Sequence, residues 1–155
     1  MRELVLAQYR ASLPDKVLGL FNAQHPLSNF HIEDFPWEGL TWSSSETAYQ
    51  AAKRPREDWA AISRLPPGEA KSRGREARID LRLWDLRKVD VMRSILRAKF
   101  ANCPIAAACL HSTGTAHIEE CNWWGDRFWG TVDGAGKNWL GTLLMEVRDH
   151  LETAS

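Results

Sequence analysis

The sequence predicts a predominantly helical α+β domain with a few short strands. Three observations point there. Apolar residues recur at helical spacing over the second half of the chain, first Met92, Ile95, Leu96 and Phe100, then Leu140, Leu143, Leu144, Val147 and Leu151. The strand-like runs are short and widely separated. No repeat or low-complexity linker divides the 155 residues, a length that suits one compact domain with a real core.

In chain order, Val17 to Phe21 reads as a short strand and Leu40 to Trp42 as another. Ser43-Ser44-Ser45-Glu46 has the form of a helix start, with Ser43 as cap and Glu46 three residues on. That helix is expected to reach about Lys53 and stop before Pro55. A second piece, Asp58 to Leu65, ends at Pro66-Pro67-Gly68. A basic segment, Lys71 to Arg78, leads to Trp84-Asp85 and then to the first apolar stripe. Pro104 suits the first turn of the next helix, which Gly114 closes. His117 to Cys121 is a candidate strand, and the stripe from Leu140 to Leu151 is the last helix.

Twenty basic and twenty acidic side chains cancel, which argues against a general electrostatic grip on duplex nucleic acid but allows a local basic pocket. Most of the eight tryptophans are expected in the core, because an indole buries so much area. Cys103, Cys109 and Cys121 are odd in number and form no Cys-x2-Cys pair, so they read as reduced thiols of a cytoplasmic protein. The five histidines have no metal-ligand spacing, and no metal site is expected. The start, Met1 to Gln8, is too short and polar for a signal peptide or membrane span.

The densest chemistry lies in Asp126-Arg-Phe-Trp-Gly-Thr-Val-Asp-Gly-Ala-Gly-Lys-Asn138, where carboxylates, glycines and aromatic rings precede the last helix. Such a loop suits a flat polar ligand. It is no P-loop, since Thr131 stands at the first glycine position and Asn138 replaces the metal-binding hydroxyl. Nor is it a dinucleotide fingerprint, since Trp139 occupies the third glycine position.

Elsewhere, Glu46, Gln50 and Lys53 fall at i, i+4 and i+7 beside Tyr49 and share one helix face. They suit an acid–base group in a pocket, or else a capping box and a solvated stripe. Lys99 falls on an apolar stripe, where a lysine either snorkels outward or lines a cavity. Lys71, Arg73, Arg75 and Arg78 can hold a phosphate or simply face solvent. Asp126 is a candidate carboxylate or a turn residue, and Glu119 a candidate third carboxylate.

Taken together these segments resemble the NADAR (YbiA-like) domain family over nearly the whole chain. The resemblance is carried, in order, by Pro26-Leu-Ser-Asn29-Phe30, Trp42-x2-Ser45-Glu46-x2-Tyr49-Gln50-x2-Lys53, Lys71-x2-Gly74-Arg75, Trp84-Asp85, Lys99-Phe100, Thr113-Gly114, His117-Ile118-Glu119, Asp126-x2-Trp129-Gly130 and Gly136-Lys137-Asn138-x-Leu140-Gly141. Two positions depart from the family pattern: Thr47 replaces a histidine, and Thr131 replaces the aspartate after Trp-Gly.

The resemblance implies a compact YbiA-like fold and an N-glycosidase that cleaves between a ribose C1′ and the exocyclic amino group of a heterocycle. Its implied substrates are phosphoribosylamino-pyrimidine intermediates of riboflavin biosynthesis, or alternatively ADP-ribose on guanine of DNA or RNA, with no cofactor. It implies Glu46, Trp84 and Asp126 as catalytic core, Trp129 lining the base pocket, and Asn29, Tyr49 and Asn138 positioning substrate. Phe30 falls within the first matching motif, and Lys71 and Arg75 suit the substrate phosphate. Carboxylates can stabilise the charge built on C1′ and protonate the leaving amine. An imine route instead needs a desolvated lysine, Lys53 or Lys99. A non-catalytic module binding ADP-ribose or NAD is the reading from another class.

Overall fold

A computed structural model describes residues 16–19 and 25–154 of the chain. Within them lie four short strands and six α-helices: β1 (Lys16–Gly19), β2 (Phe35–Trp37), β3 (Leu40–Trp42), α1 (Ser45–Ala51), α2 (Trp59–Ile62), α3 (Pro67–Arg75), α4 (Leu81–Asn102), α5 (Pro104–Ser112), β4 (His117–Glu120) and α6 (Trp139–Ala154). The helix-rich α+β reading matches this architecture. No described helix is long and apolar enough to cross a membrane.

The strands form two pairs. β1 runs parallel to β4, with Val17 opposite Ile118 and Gly19 opposite Glu120. β2 and β3 form an antiparallel hairpin closed by Glu38 and Gly39, both at positive φ as a two-residue hairpin turn of this hand requires. β1 begins one residue earlier than predicted, and positions 20 and 21 lie outside the described residues. β2 was not predicted, because Pro36 sits at its centre; a short strand paired on one side tolerates it.

α4 is the spine. Asp80 starts it, its Oδ1 accepting from the Arg82 and Leu83 amides, and Met92, Ile95, Leu96 and Phe100 turn inward. They meet Leu140, Leu143, Leu144 and Val147 of α6 in one core, joined by Phe35, Trp37 and Trp42 of the hairpin. Trp37 stacks on Trp59, with ring centroids 5.2 Å apart. The second helical piece is shorter than expected, a 3-10 turn at Arg56–Asp58 leading into α2. Pro66-Pro67 both ends that segment and opens a helix that no apolar stripe announces: Pro67 takes the first position of α3, where its missing N–H costs nothing.

Candidate active site

The N-cap of α1 is Ser44, not Ser43, and this one-residue shift decides what Glu46 does. Ser44 Oγ accepts from the Thr47 amide at 3.1 Å, while Ser43 Oγ donates to the Leu65 carbonyl. Glu46 is therefore the second helical residue, one position short of a capping box. Its carboxylate instead accepts from Gln50 Nε2 at 2.8 Å, one turn along. Asn29 anchors the helix start, its carbonyl taking the Glu46 amide and its Oδ1 the Ser45 hydroxyl. The stripe Glu46–Gln50–Lys53 faces not solvent but a cavity of about 750 Å³.

That cavity gathers Asn29, Phe30, Glu46, Tyr49, Lys53, Lys71, Arg75, Asp126 and Trp129 from the predicted site. Lys71 and Arg75 stand one turn apart on α3, so a single face of that helix brings both to the wall, and Arg73 and Arg78 do not reach it. Tyr49 packs between Trp84 and Trp129, at 5.3 and 5.6 Å between ring centroids. Lys53 Nζ lies 5.1 Å from the centre of the Tyr49 ring.

Asp126 is both a turn residue and a cavity residue. Its Oδ1 accepts from the Phe128 and Trp129 amides at 3.0 and 2.9 Å, which fixes the carboxylate and the following indole together. Asn122, fully buried, closes the preceding loop, bonding the Asp126 carbonyl with Nδ2 and the Asp126 amide with Oδ1.

The third carboxyl is Glu120 rather than Glu119. In β4, Ile118 and Glu120 share the buried face, and Glu120 borders the cavity. Glu119 points the other way and accepts from Thr131 Oγ1. Strand alternation from Ile118 is the signal that identifies Glu120. Its Oε2 is buried with no hydrogen-bond partner. Gly130 makes room for it, since a Cβ there would come 2.7 Å from Oε2 and 2.3 Å from the Glu120 carbonyl.

Burial and mutual repulsion shape these acids. Burial, then the charges of Asp126 and Glu46, push the Glu120 carboxyl up to about 8, against a smaller pull from Lys71. Burial likewise raises Glu46, opposed by the Gln50 hydrogen bond and by Lys71 and Lys53. Burial lowers the Lys53 ammonium and raises the Tyr49 phenol. The cavity thus holds acids biased toward their neutral, proton-donating forms beside a softened amine.

Three predicted site residues do not reach the cavity wall. Trp84, assigned to the catalytic core, packs behind Tyr49 with only 7% of its surface exposed. Lys99 neither snorkels nor lines the cavity: 1% exposed, it donates to the Ser28 carbonyl at 2.9 Å, and burial draws it down to about 8. Of the two lysines considered for an imine route, Lys53 alone reaches the wall. Asn138 spends its amide on β4, accepting from the Glu120 amide and donating to the Ile118 carbonyl. The two departures from the family pattern also lie off the wall: Thr47 bonds Ser44 and the Leu65 carbonyl, and Thr131 bonds Glu119.

The chain is similar in sequence and fold to known proteins. The profile of the NADAR domain matches residues 16–152. The N-glycosidase YbiA of Escherichia coli (strain K12) is 38% identical over 133 residues, covering 80% of this chain and 79% of that protein. An N-glycosidase of Nostoc punctiforme is 35% identical over 131 residues, 80% of this chain and 83% of its own. A riboflavin biosynthesis protein of Vibrio vulnificus is 35% identical over 134 residues, 81% of this chain but 35% of that longer protein. The NMR structure of Escherichia coli YbiA superposes with a TM-score of 0.73 at 34% identity, covering 86% of this chain and 82% of that one. With its profile matched almost from end to end and its fold shared with YbiA, the chain belongs to the NADAR domain family.

Proposed function

We propose that this N-glycosidase hydrolyses the bond between a ribose C1′ and the exocyclic amino group of a heterocyclic base, on a substrate whose ribose carries a 5′-phosphate. One observation carries the reading: the carboxyl groups of Glu46, Glu120 and Asp126 border a single ring-lined cavity whose wall also holds Lys71 and Arg75. Cleavage leaves positive charge on C1′ and O4′, which a fixed carboxylate stabilises. Glu120, neutral at pH 7 with Oε2 unbonded, supplies the proton that the departing amine takes up. Water adds its oxygen to C1′ and yields its proton to a carboxylate, for which Asp126 is suited by its fixed geometry. Tyr49 and Trp129 provide apolar faces for the base.

A phosphoribosylamino-pyrimidine is the substrate we favour. Relatives named for riboflavin biosynthesis support it, and the Lys71–Arg75 pair suits a single 5′-phosphate. ADP-ribosyl-guanine is the second reading, favoured by two exposed tryptophans, Trp123 and Trp124, that also border the cavity. Mass-spectrometric detection of released base or ADP-ribose, with both substrates offered, separates the two. Glu46→Gln is expected to lower turnover about 10²- to 10⁴-fold with substrate affinity largely kept. Near-normal turnover in that variant would remove Glu46 from the reaction.

A further inference from the structure

We propose that this enzyme also cleaves the N-ribosyl 5′-phosphates of simple arylamines, because its cavity holds the base by ring faces and does not read the hydrogen-bonding groups on the base's edge. The inference rests on the N-glycosidase reading and names the range of leaving groups that the same site accepts. Side-chain amides are the usual readers of a heterocycle's edge, since each offers donor and acceptor side by side. Those at this cavity bond the protein itself.

Asn29 Oδ1 takes the Ser45 hydroxyl at 2.8 Å, and Asn29 Nδ2 lies 3.8 Å from Met92 Sδ. Gln50 gives Nε2 to Glu46 and turns Oε1 toward α3, where a Cβ on Gly74 would come within 1.8 Å of it. That oxygen is buried, out of reach of a ligand. Asn122 bonds the Asp126 backbone with both ends of its amide, and Asn138 bonds β4 in the same way. Ser28 Oγ accepts from the Phe30 amide at 3.0 Å. The wall left for the base is apolar, with Tyr49, Met92, Trp129 and Leu140 bordering the cavity. A pocket of that kind separates similar ligands by about 10- to 200-fold, whereas one built to bond a polar edge separates them by about 10⁴- to 10⁵-fold.

The reaction asks equally little of the leaving group. It needs a nitrogen on an aromatic ring that takes up one proton as the C1′–N bond breaks. Water's oxygen joins C1′, and the products are ribose 5-phosphate and the free amine. Glu120 supplies the proton to nitrogen and a carboxylate receives the one that water loses, so protons balance whatever ring bears the amine. The nitrogen of aniline meets every one of these demands. Such adducts form without an enzyme, when the aldehyde of ribose 5-phosphate condenses with an arylamine and water leaves. The proposed activity runs that condensation backwards.

The test offers the intact protein N-(5-phosphoribosyl)aniline and a 5-phosphoribosylamino-pyrimidine, and follows ribose 5-phosphate released above the spontaneous rate. Values of kcat/KM for the two are expected to agree within about 200-fold, the range of an apolar pocket. A wider gap in either direction overturns the inference. Glu120→Gln and Lys71→Ala should each slow both substrates by similar factors. Aniline release that survives Glu120→Gln while pyrimidine release is lost would place the cleavage elsewhere, and that too overturns it. Lys71 is exposed, so Lys71→Ala gives the same comparison if Glu120→Gln folds poorly. Pyrimidine cleaved without aniline sinks this inference alone and leaves the N-glycosidase reading standing; cleavage of neither sinks both.

Discussion

Glu120 keeps Oε2 out of water with nothing to bond it, beside the carboxyl groups of Glu46 and Asp126, at a place where a core built for stability alone would put an apolar side chain. A module that only bound its ligand would gain nothing from three acids set against one another; a catalyst that must hold a proton at neutral pH gains a donor. The arrangement has a thermodynamic signature. Folding raises the Glu120 carboxyl from its ordinary 4.5 to about 8, so between those values the unfolded chain gives up a proton that the folded chain keeps. The contribution of this group to stability is complete below about pH 4.5 and is lost as the pH climbs through 8. Glu120→Gln, which cannot ionise, should match wild type in melting temperature near pH 4 and exceed it increasingly up to pH 8.5, by several degrees. A difference that does not grow over that span would show that Glu120 does not titrate there. The same variant should turn over far more slowly across the whole range, since it has no proton to give.

At the scale of elements, what the sequence revealed depended on whether an element buries large side chains. α4 and α6 were legible because Met92, Ile95, Leu96 and Phe100, and then Leu140 to Val147, mark a single stripe. α3 was not, because its buried residues are Pro67, Ala70 and Gly74, a stripe of small residues that hydropathy does not register. Smallness is what lets α3 approach α1, and that approach puts Lys71 and Arg75 on the cavity. The α1 cap falls one residue later than predicted, at Ser44, since three consecutive serines offer the same chemistry. A capping-box role for Glu46 went with it. Glu120 was missed although the alternation with Ile118 pointed to it. Gly74→Ala probes the α1–α3 contact. An exposed helical site would gain about 1 kcal/mol from this change. Here the new Cβ would fall 1.8 Å from Gln50 Oε1 and 2.8 Å from Cδ, and Gln50 is only 4% exposed. The clash wins: Gln50 must move, and with it goes the bond that fixes Glu46. We expect kcat to fall on the order of tenfold to a hundredfold, as for a small displacement of a reacting group. Gln50→Ala added to Gly74→Ala should recover thermal stability without recovering rate. Wild-type kcat in Gly74→Ala would mean that this contact does not set the position of Glu46.

At the scale of the whole molecule, bonds between distant segments hold the cavity open. Lys99 on α4 fixes the Ser28 carbonyl, and Glu33 supplies to the start of α5, through the Ile105 and Ala106 amides, the cap that Cys103 does not. Asn138 joins β4 to the head of α6, so the strand that carries Glu120 is registered against the C-terminal helix. It does so at φ +51°, a conformation asparagine tolerates better than most residues. Gly141 completes the fit, for a Cβ there would meet the Asn138 side chain and the Ile118 carbonyl at 2.2–2.6 Å. The resemblance to the NADAR family implies that Asn138 positions substrate, whereas the bonds it makes join β4 to α6, and a substrate role and a scaffold role predict different losses. Asn138→Ala strands a buried N–H and a buried carbonyl at about 1–3 kcal/mol each and adds about 1–2 kcal/mol of backbone strain. The sum, on the order of 5 kcal/mol, lowers the melting temperature of a chain this size by roughly 10–20 °C. Asn138→Gly relieves the strain but not the lost bonds, so it should melt between wild type and Asn138→Ala. Thermal unfolding of the three proteins, paired with kinetics well below each midpoint, distinguishes the roles: a scaffold residue costs stability in that order, whereas a substrate contact would raise KM and leave all three melting together.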